Sequence, residues 1–97
     1  MIERIKEQVP HVRPSCYLHK TSVLIGDVTL GENVSVWPCA VLRGDIAAIT
    51  VGDNSNIQEN ACVHVNYGAP CIIGRGVSVG HGAIVHGSKI GDNCLIG

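Results

Sequence analysis

Aliphatic residues recur at every sixth position over most of the chain. From Val12 the series runs through Leu18, Leu24, Leu30, Val36 and Leu42. It resumes at Val51, Ile57 and Val63, again at Ile73, Val79 and Val85, and ends on Ile90 and Ile96. Four residues after these stand Cys16, Ser22, Val28, Val34, Ala40, Ile46, Ser55, Ala61, Val77, Ala83 and Cys94, most of them small. Tyr67 and Lys89 occupy that offset only where a block ends. A period of six is neither the 3.6 of a helix nor the turn spacing of a β-sandwich. It is the hexapeptide repeat of a parallel β-helix. Each hexapeptide then forms one short strand and one corner. Three form a triangular coil of about 18 residues, and coils stack at roughly 4.8 Å.

The blocks are separated by a step of 9 from Leu42 to Val51, a step of 10 from Val63 to Ile73 and a step of 5 from Val85 to Ile90. The two long steps predict loops, Gly44–Thr50 and Asn66–Cys71, leaving the same edge of the prism. Corners are expected at Gly31–Asn33, Gly52–Asn54 and Gly91–Asn93, whose residues tolerate left-handed backbone. Residues 1–11 read as a lead-in and residues 12–97 as the β-helix domain. The series stops at Ile96-Gly97 without a polar cap. The expectation there is an open coil end, covered by a second copy end to end or by further chain.

Composition agrees with a narrow interior. Hydrophobic residues make up 45% of the 97 residues, but aromatics only 3%, with no Phe. The core must therefore use Val, Ile, Leu and Ala. A net charge of -1 provides no electrostatic footprint for nucleic acid. No apolar run reaches the roughly 18 residues of a membrane span, and Met1–Gln8 has no apolar stretch of a secretory signal. Five Cys, without a CxxC pair, argue against a disulfide framework or a Cys zinc knuckle. The expected compartment is the reducing cytoplasm.

The register also aligns polar residues. The residue after an inward aliphatic points outward, so Arg43, His64 and His86 should form one column on the third face, with separations of 21 and 22. Two imidazoles one rung apart can share a metal, since Zn–N bonds are about 2.0–2.1 Å. His81 falls near the corner between the second and third faces. On the second face the outward column is Trp37, Gln58 and Gly80, the glycine leaving room beside His81. Simpler roles compete for most of these residues. Arg43 can pair with Asp45 as a structural ion pair, Gln58 can bond a neighbour, and Trp37 and Tyr67 can serve packing. His11 and His19 read as solvated, and the five Cys as small core or interface residues.

The segments LIGDVTLGENVSVWPCAVLRGD, VGDNSNIQENACVHVN and IIGRGVSVGHGAIVHGSKIGDNCLIG occur in order and in register. From about Leu18 to Gly97 the chain resembles the gamma-class carbonic anhydrases and their relatives. That resemblance implies a left-handed parallel β-helix and a homotrimer, with zinc (iron or cobalt in some members) held by three histidines across subunit interfaces. The matching ligands are His64, His81 and His86. LRGD supplies Arg43 and Asp45, and NIQEN supplies Gln58, around the metal-bound water. The implied reaction is the reversible hydration of CO2 to bicarbonate by metal-bound hydroxide. Some members carry a glutamate directly after the LRGD aspartate, where it can move protons; this chain has Ile46. The loop Asn66–Pro70 is also short and carries no carboxylate. Fast turnover needs proton export, so weak or absent hydration is expected. The competing functions are a metal-binding relative of other activity and a hexapeptide acyltransferase, because the fold is shared.

Overall fold

Strands one coil apart lie in parallel register, and the coils stack into a three-sided prism. The computed structural model describes residues 1–97, and no helix interrupts the strands. The third face stacks β1 (Ile2–Glu3), the first half of β3 (Val23–Leu30), the first half of β5 (Val41–Val51), β7 (Cys62–His64) and β10 (Ile84–His86). The first face stacks the second halves of β3 and β5 with β8 (Cys71–Ile73) and β11 (Lys89–Ile90). The second face is a five-stranded sheet of β2 (Tyr17–Leu18), β4 (Ser35–Val36), β6 (Asn56–Ile57), β9 (Ser78–Val79) and β12 (Leu95–Ile96). Because β3 and β5 run unbroken round a corner, the first and third faces join as one seven-stranded sheet.

The six-residue series is the core. Its ten inner members, from Leu24 to Val85, are buried. Val12, Leu18, Ile90 and Ile96, on the outermost rungs, are partly buried against them. Each fully buried aliphatic contributes roughly 1.5–3 kcal/mol. Two polar residues, Ser22 and Ser55, share this interior. Both are satisfied: Ser22 Oγ donates to the His19 carbonyl at 2.7 Å, and Ser55 Oγ donates to the Gly74 carbonyl at 2.8 Å.

The two long steps leave the prism at one corner, and both excursions are shorter than the sequence suggested. On the first, Ile49 is already back in the ladder opposite Val28, so only Asp45–Ala48 bulge out. On the second, Cys71 pairs with Ile49, leaving residues 66–70 as the loop, closed by an antiparallel bridge between Asn66 and Ala69. The expectation that Ile46 fills the small-residue column is therefore corrected. Inserted residues shift the count, Ile49 and Cys71 are buried there instead, and Ile46 is exposed on the bulge.

At the first corner the left-handed residues are the asparagines: φ is 57° at Asn33, 61° at Asn54 and 59° at Asn93. The glycine two places earlier serves another purpose. A Cβ on Gly52 would lie 2.6 Å from the Gly74 carbonyl of the next coil, so the rung spacing itself excludes a side chain. The lead-in is also folded onto the prism. Ile2–Glu3 pair with Leu24–Ile25, and Pro10 is buried.

Gly52→Ala should therefore destabilise the chain by about 1–3 kcal/mol, the usual cost of overpacking. Lys20→Ala, at an exposed side chain, should cost well below that. Urea unfolding of both variants tests the comparison, and equal midpoints would contradict the close-stacking argument.

Candidate active site

The LRGD segment spans the end of the third face and the start of the bulge. Leu42 points into the core and Arg43 outward, as the strand alternation requires. Gly44 then passes so close to the previous coil that a Cβ would lie 2.4 Å from the Asp27 carbonyl oxygen. That approach lets the chain turn sharply enough to bring Asp45 back over the third face. Asp45 Oδ2 lies 3.4 Å from Arg43 Nε, and Oδ1 lies 2.9 Å from His64 Nε2. On its other side His64 Nδ1 is 3.4 Å from Arg43 Nη2. A guanidinium only donates. Nδ1 is thus the accepting nitrogen, and the His64 Nε2–H donates to Asp45. Partial burial would raise the Asp45 pKa, but the hydrogen bonds from His64 and from the Ile46 N–H outweigh it and hold the carboxyl below its ordinary value.

His86 stands one rung above His64, in direct register with it. The two ring centroids are 5.0 Å apart with the planes inclined at 55°. His86 Nε2 is 2.8 Å from Asn66 Oδ1, so the short loop reaches across to hold this ring.

A second group of polar side chains lies near the corner between the second and third faces. Ser35, Trp37, Asn56, Gln58, Glu59 and His81 line an open pocket of about 370 Å³. Gln58 Nε2 donates to Asn56 Oδ1 at 2.9 Å, and Asn56 Nδ2 donates to Ser78 Oγ at 3.0 Å. The Trp37 indole N–H donates to Ser35 Oγ at 3.0 Å, and the ring packs on Tyr17 with centroids 5.1 Å apart. His81 Nδ1 is 2.6 Å from Glu59 Oε1. The Glu59 carboxyl is held below its ordinary pKa by its own backbone N–H and then by His81.

One chain therefore brings together Arg43, Asp45, His64 and His86, and separately Gln58 with His81. His81 lies in the turn before β10 and His86 ends that strand, five residues on, a span of up to about 17 Å of extended chain. No three His, Cys, Asp or Glu side chains converge on a common point within the chain. The adjacent His64 and His86 rings could offer a metal ion two nitrogens, His64 through Nδ1 once Arg43 moves aside and His86 through the nitrogen that Asn66 does not hold. Sequence reasoning passed over Glu59 and Asn66. Both sit inside the quoted motifs, NIQEN and HVN, and Glu59 lies 22 residues before His81, one coil exactly below it in count. That spacing is the signal that could have found it.

No protein-family profile matches the chain. Among curated proteins it is 53% identical over 78 residues to a probable carbonic anhydrase of Methanocaldococcus jannaschii, covering 80% of this chain and 49% of that protein. It is 38% identical over 97 residues to a carbonic anhydrase of Geobacillus kaustophilus, covering all of this chain and 53% of that protein. The chain thus spans about half the length of these relatives. Among solved structures, a hexapeptide transferase family protein from Anaplasma phagocytophilum superposes with a TM-score of 0.94 at 35% identity, covering 99% of this chain and 56% of that one. This likeness fits the left-handed winding of the β-helix.

The Asp45 contacts predict a pH signature. A carboxyl whose pKa is lowered by folding stabilises the fold above its unfolded pKa, and that contribution is lost as pH falls through the folded value. Asp45→Asn should be less stable than the parent at pH 6–7, within the roughly 0–1 kcal/mol of a solvent-accessible pair. The difference should narrow as the pH falls past the unfolded carboxyl's value of about 3.9 and close below the lowered folded value, where both carboxyls are protonated. Thermal melts from pH 2.5 to 7 test this; a pH-independent gap would contradict it.

Proposed function

Because this chain belongs, over the stretch it spans, to the gamma-class carbonic anhydrase-like hexapeptide-repeat family, we propose that it is a metal-dependent protein catalysing slow, reversible hydration of CO2 to bicarbonate. The observation that carries this reading is the His64–His86 pair, stacked 5.0 Å apart beside the Arg43–Asp45 ion pair. His64 and His86 of one copy, with His81 of a neighbouring copy, would hold zinc, with Fe2+ or Co2+ as substitutes. Bound there, zinc supplies a Lewis acid able to bring the pKa of a water close to 7.

The remaining chemistry belongs to the chain's own side chains. Asp45 accepts the hydrogen bond from His64 Nε2–H and so fixes the orientation of that ring. Arg43 keeps part of its guanidinium free for an anion while Asp45 offsets its charge, which suits an arriving or leaving bicarbonate. Gln58, with its carbonyl uncommitted, can orient a water. Proton export is poorly served. Ile46 follows Asp45 directly, and residues 66–70 contain no carboxylate. Turnover should therefore depend on buffer as the proton carrier.

Self-association is supported by the outer surface of the third face. Val23, Val41, Cys62 and Ile84 stand in register up the prism, an apolar column beside the histidines. Ile84 is 75% exposed in the single chain. A homotrimer would cover this column and bring one copy's His81 towards the next copy's His64–His86 pair, as closed cyclic symmetry allows. A cytoplasmic location fits the unpaired cysteines. No helix is long and apolar enough to cross a membrane.

An acyltransferase is the second reading, favoured by the hexapeptide transferase likeness and by a His81–Glu59 pair facing an open pocket. Acetyl-CoA binding without metal dependence would select it.

Purified protein expressed with added zinc should carry about one metal per chain by elemental analysis, and His64→Ala or His81→Ala should lose it. Metal well below that level in the parent, or full metal in His81→Ala, would overturn the proposal. Ile84→Glu should lower the molar mass in light scattering to that of one chain and release the metal together with the trimer. Stopped-flow CO2 hydration should be weak in dilute buffer and rise with buffer concentration. Fast turnover in dilute buffer would refute the missing-shuttle argument.

A further inference from the structure

Resting on the metal reading above, we infer that Glu59 is a positioning residue that fixes which nitrogen of His81 is free to bind. The Glu59 carboxylate has no proton to give, and its Oε1 lies 2.6 Å from His81 Nδ1. Only an Nδ1–H can make that contact, so a neutral ring carries its lone pair on Nε2. An unconstrained imidazole is free to choose either tautomer. Here the choice is made by a residue one coil below, 22 positions earlier in the chain, through the stacking of the corner rather than through any local sequence contact.

The same corner keeps Glu59 in place. Glu59 is flanked by Gln58, whose amide is tied to Asn56, and by Asn60, whose left-handed backbone, at a φ of 62°, turns the corner. The next coil repeats the turn at Gly82, with a φ of 66° directly after His81, and the Gly82 N–H donates to the Glu59 carbonyl at 2.8 Å. Backbone and side chain of Glu59 thus engage consecutive residues of the coil above. His64 is oriented differently: its Nε2–H goes to Asp45, and its Nδ1 is the accepting nitrogen. The two rings are set by separate carboxylates and offer different nitrogens.

Carboxylates that receive the second N–H of a ligating histidine commonly strengthen metal binding 10–100-fold. The full chain is compared with Glu59→Ala and Glu59→Gln. In the metal-free protein at pH 8, two-bond 1H–15N spectra should show His81 as the Nδ1–H tautomer, shifting towards Nε2–H in Glu59→Ala. Zinc affinity, measured by competition with a chromophoric chelator, should fall about 10–100-fold in Glu59→Ala. Glu59→Gln should recover part of both effects, because its carbonyl still accepts, and the metal-free melting temperatures should remain alike. An Nε2–H tautomer in the parent, or unchanged zinc affinity in Glu59→Ala, would overturn the inference. Absence of zinc binding by the parent would instead defeat the metal reading, and the tautomer assignment would still stand or fall on its own spectrum.

Discussion

Everything in this molecule depends on coils stacking at the spacing of hydrogen-bonded strands. That distance, roughly 4.8 Å, is fixed by the backbone and not by the side chains. It stacks each inward side chain directly on its counterpart in the next coil, and the interior is accordingly a set of columns rather than an irregular jigsaw. Leu24, Leu42, Val63 and Val85 form one such column, in strict register. A Phe would overfill it, and the chain has none. The corners obey the same spacing: Gly52 must be a glycine because the next coil's backbone is already where a Cβ would go.

A fixed spacing also organises the chemistry. Side chains one coil apart meet whatever lies between them in sequence, so His64 meets His86 and Glu59 meets His81. Each rung, however, has distinct edges, and a single prism cannot fold one edge onto another. The histidine pair beside the bulge and the His81 pocket at the turn before β10 stay apart in one chain. In the proposed trimer a symmetry-related copy would bring unlike edges together. The apolar column on the third face lies between them, where such a copy would sit.

Much of this was legible because the repeat is periodic. The inward positions, the corner asparagines and the His64–His86 stack all follow from counting in sixes and adding one coil. The count failed where residues were inserted. Ile46 looked like a small-column residue, and the true occupant, Ile49, appears only once the bulge is known to close after Ala48. The side-chain bonds that orient the rings were harder to read. Asn66 reaches His86 because its loop is pinned by the bridge to Ala69, which no periodicity encodes. Glu59 was hidden for a different reason: an exposed glutamate at a corner ordinarily signals nothing beyond solvation.

The bulge at Asp45–Ala48 and the loop above it leave the prism at one corner, and the ladder closes behind both without losing register. Chain length is thereby uncoupled from the scaffold at that one place. Closing a longer loop costs only about 0.6 kcal/mol for each doubling of its length. Residues can be added or removed there without shifting the register of the buried columns, although Ala47 of the bulge packs against the core. The corner beside the histidines is thus where a lineage could lengthen, shorten or recharge a segment and change what surrounds those rings while inheriting the same core.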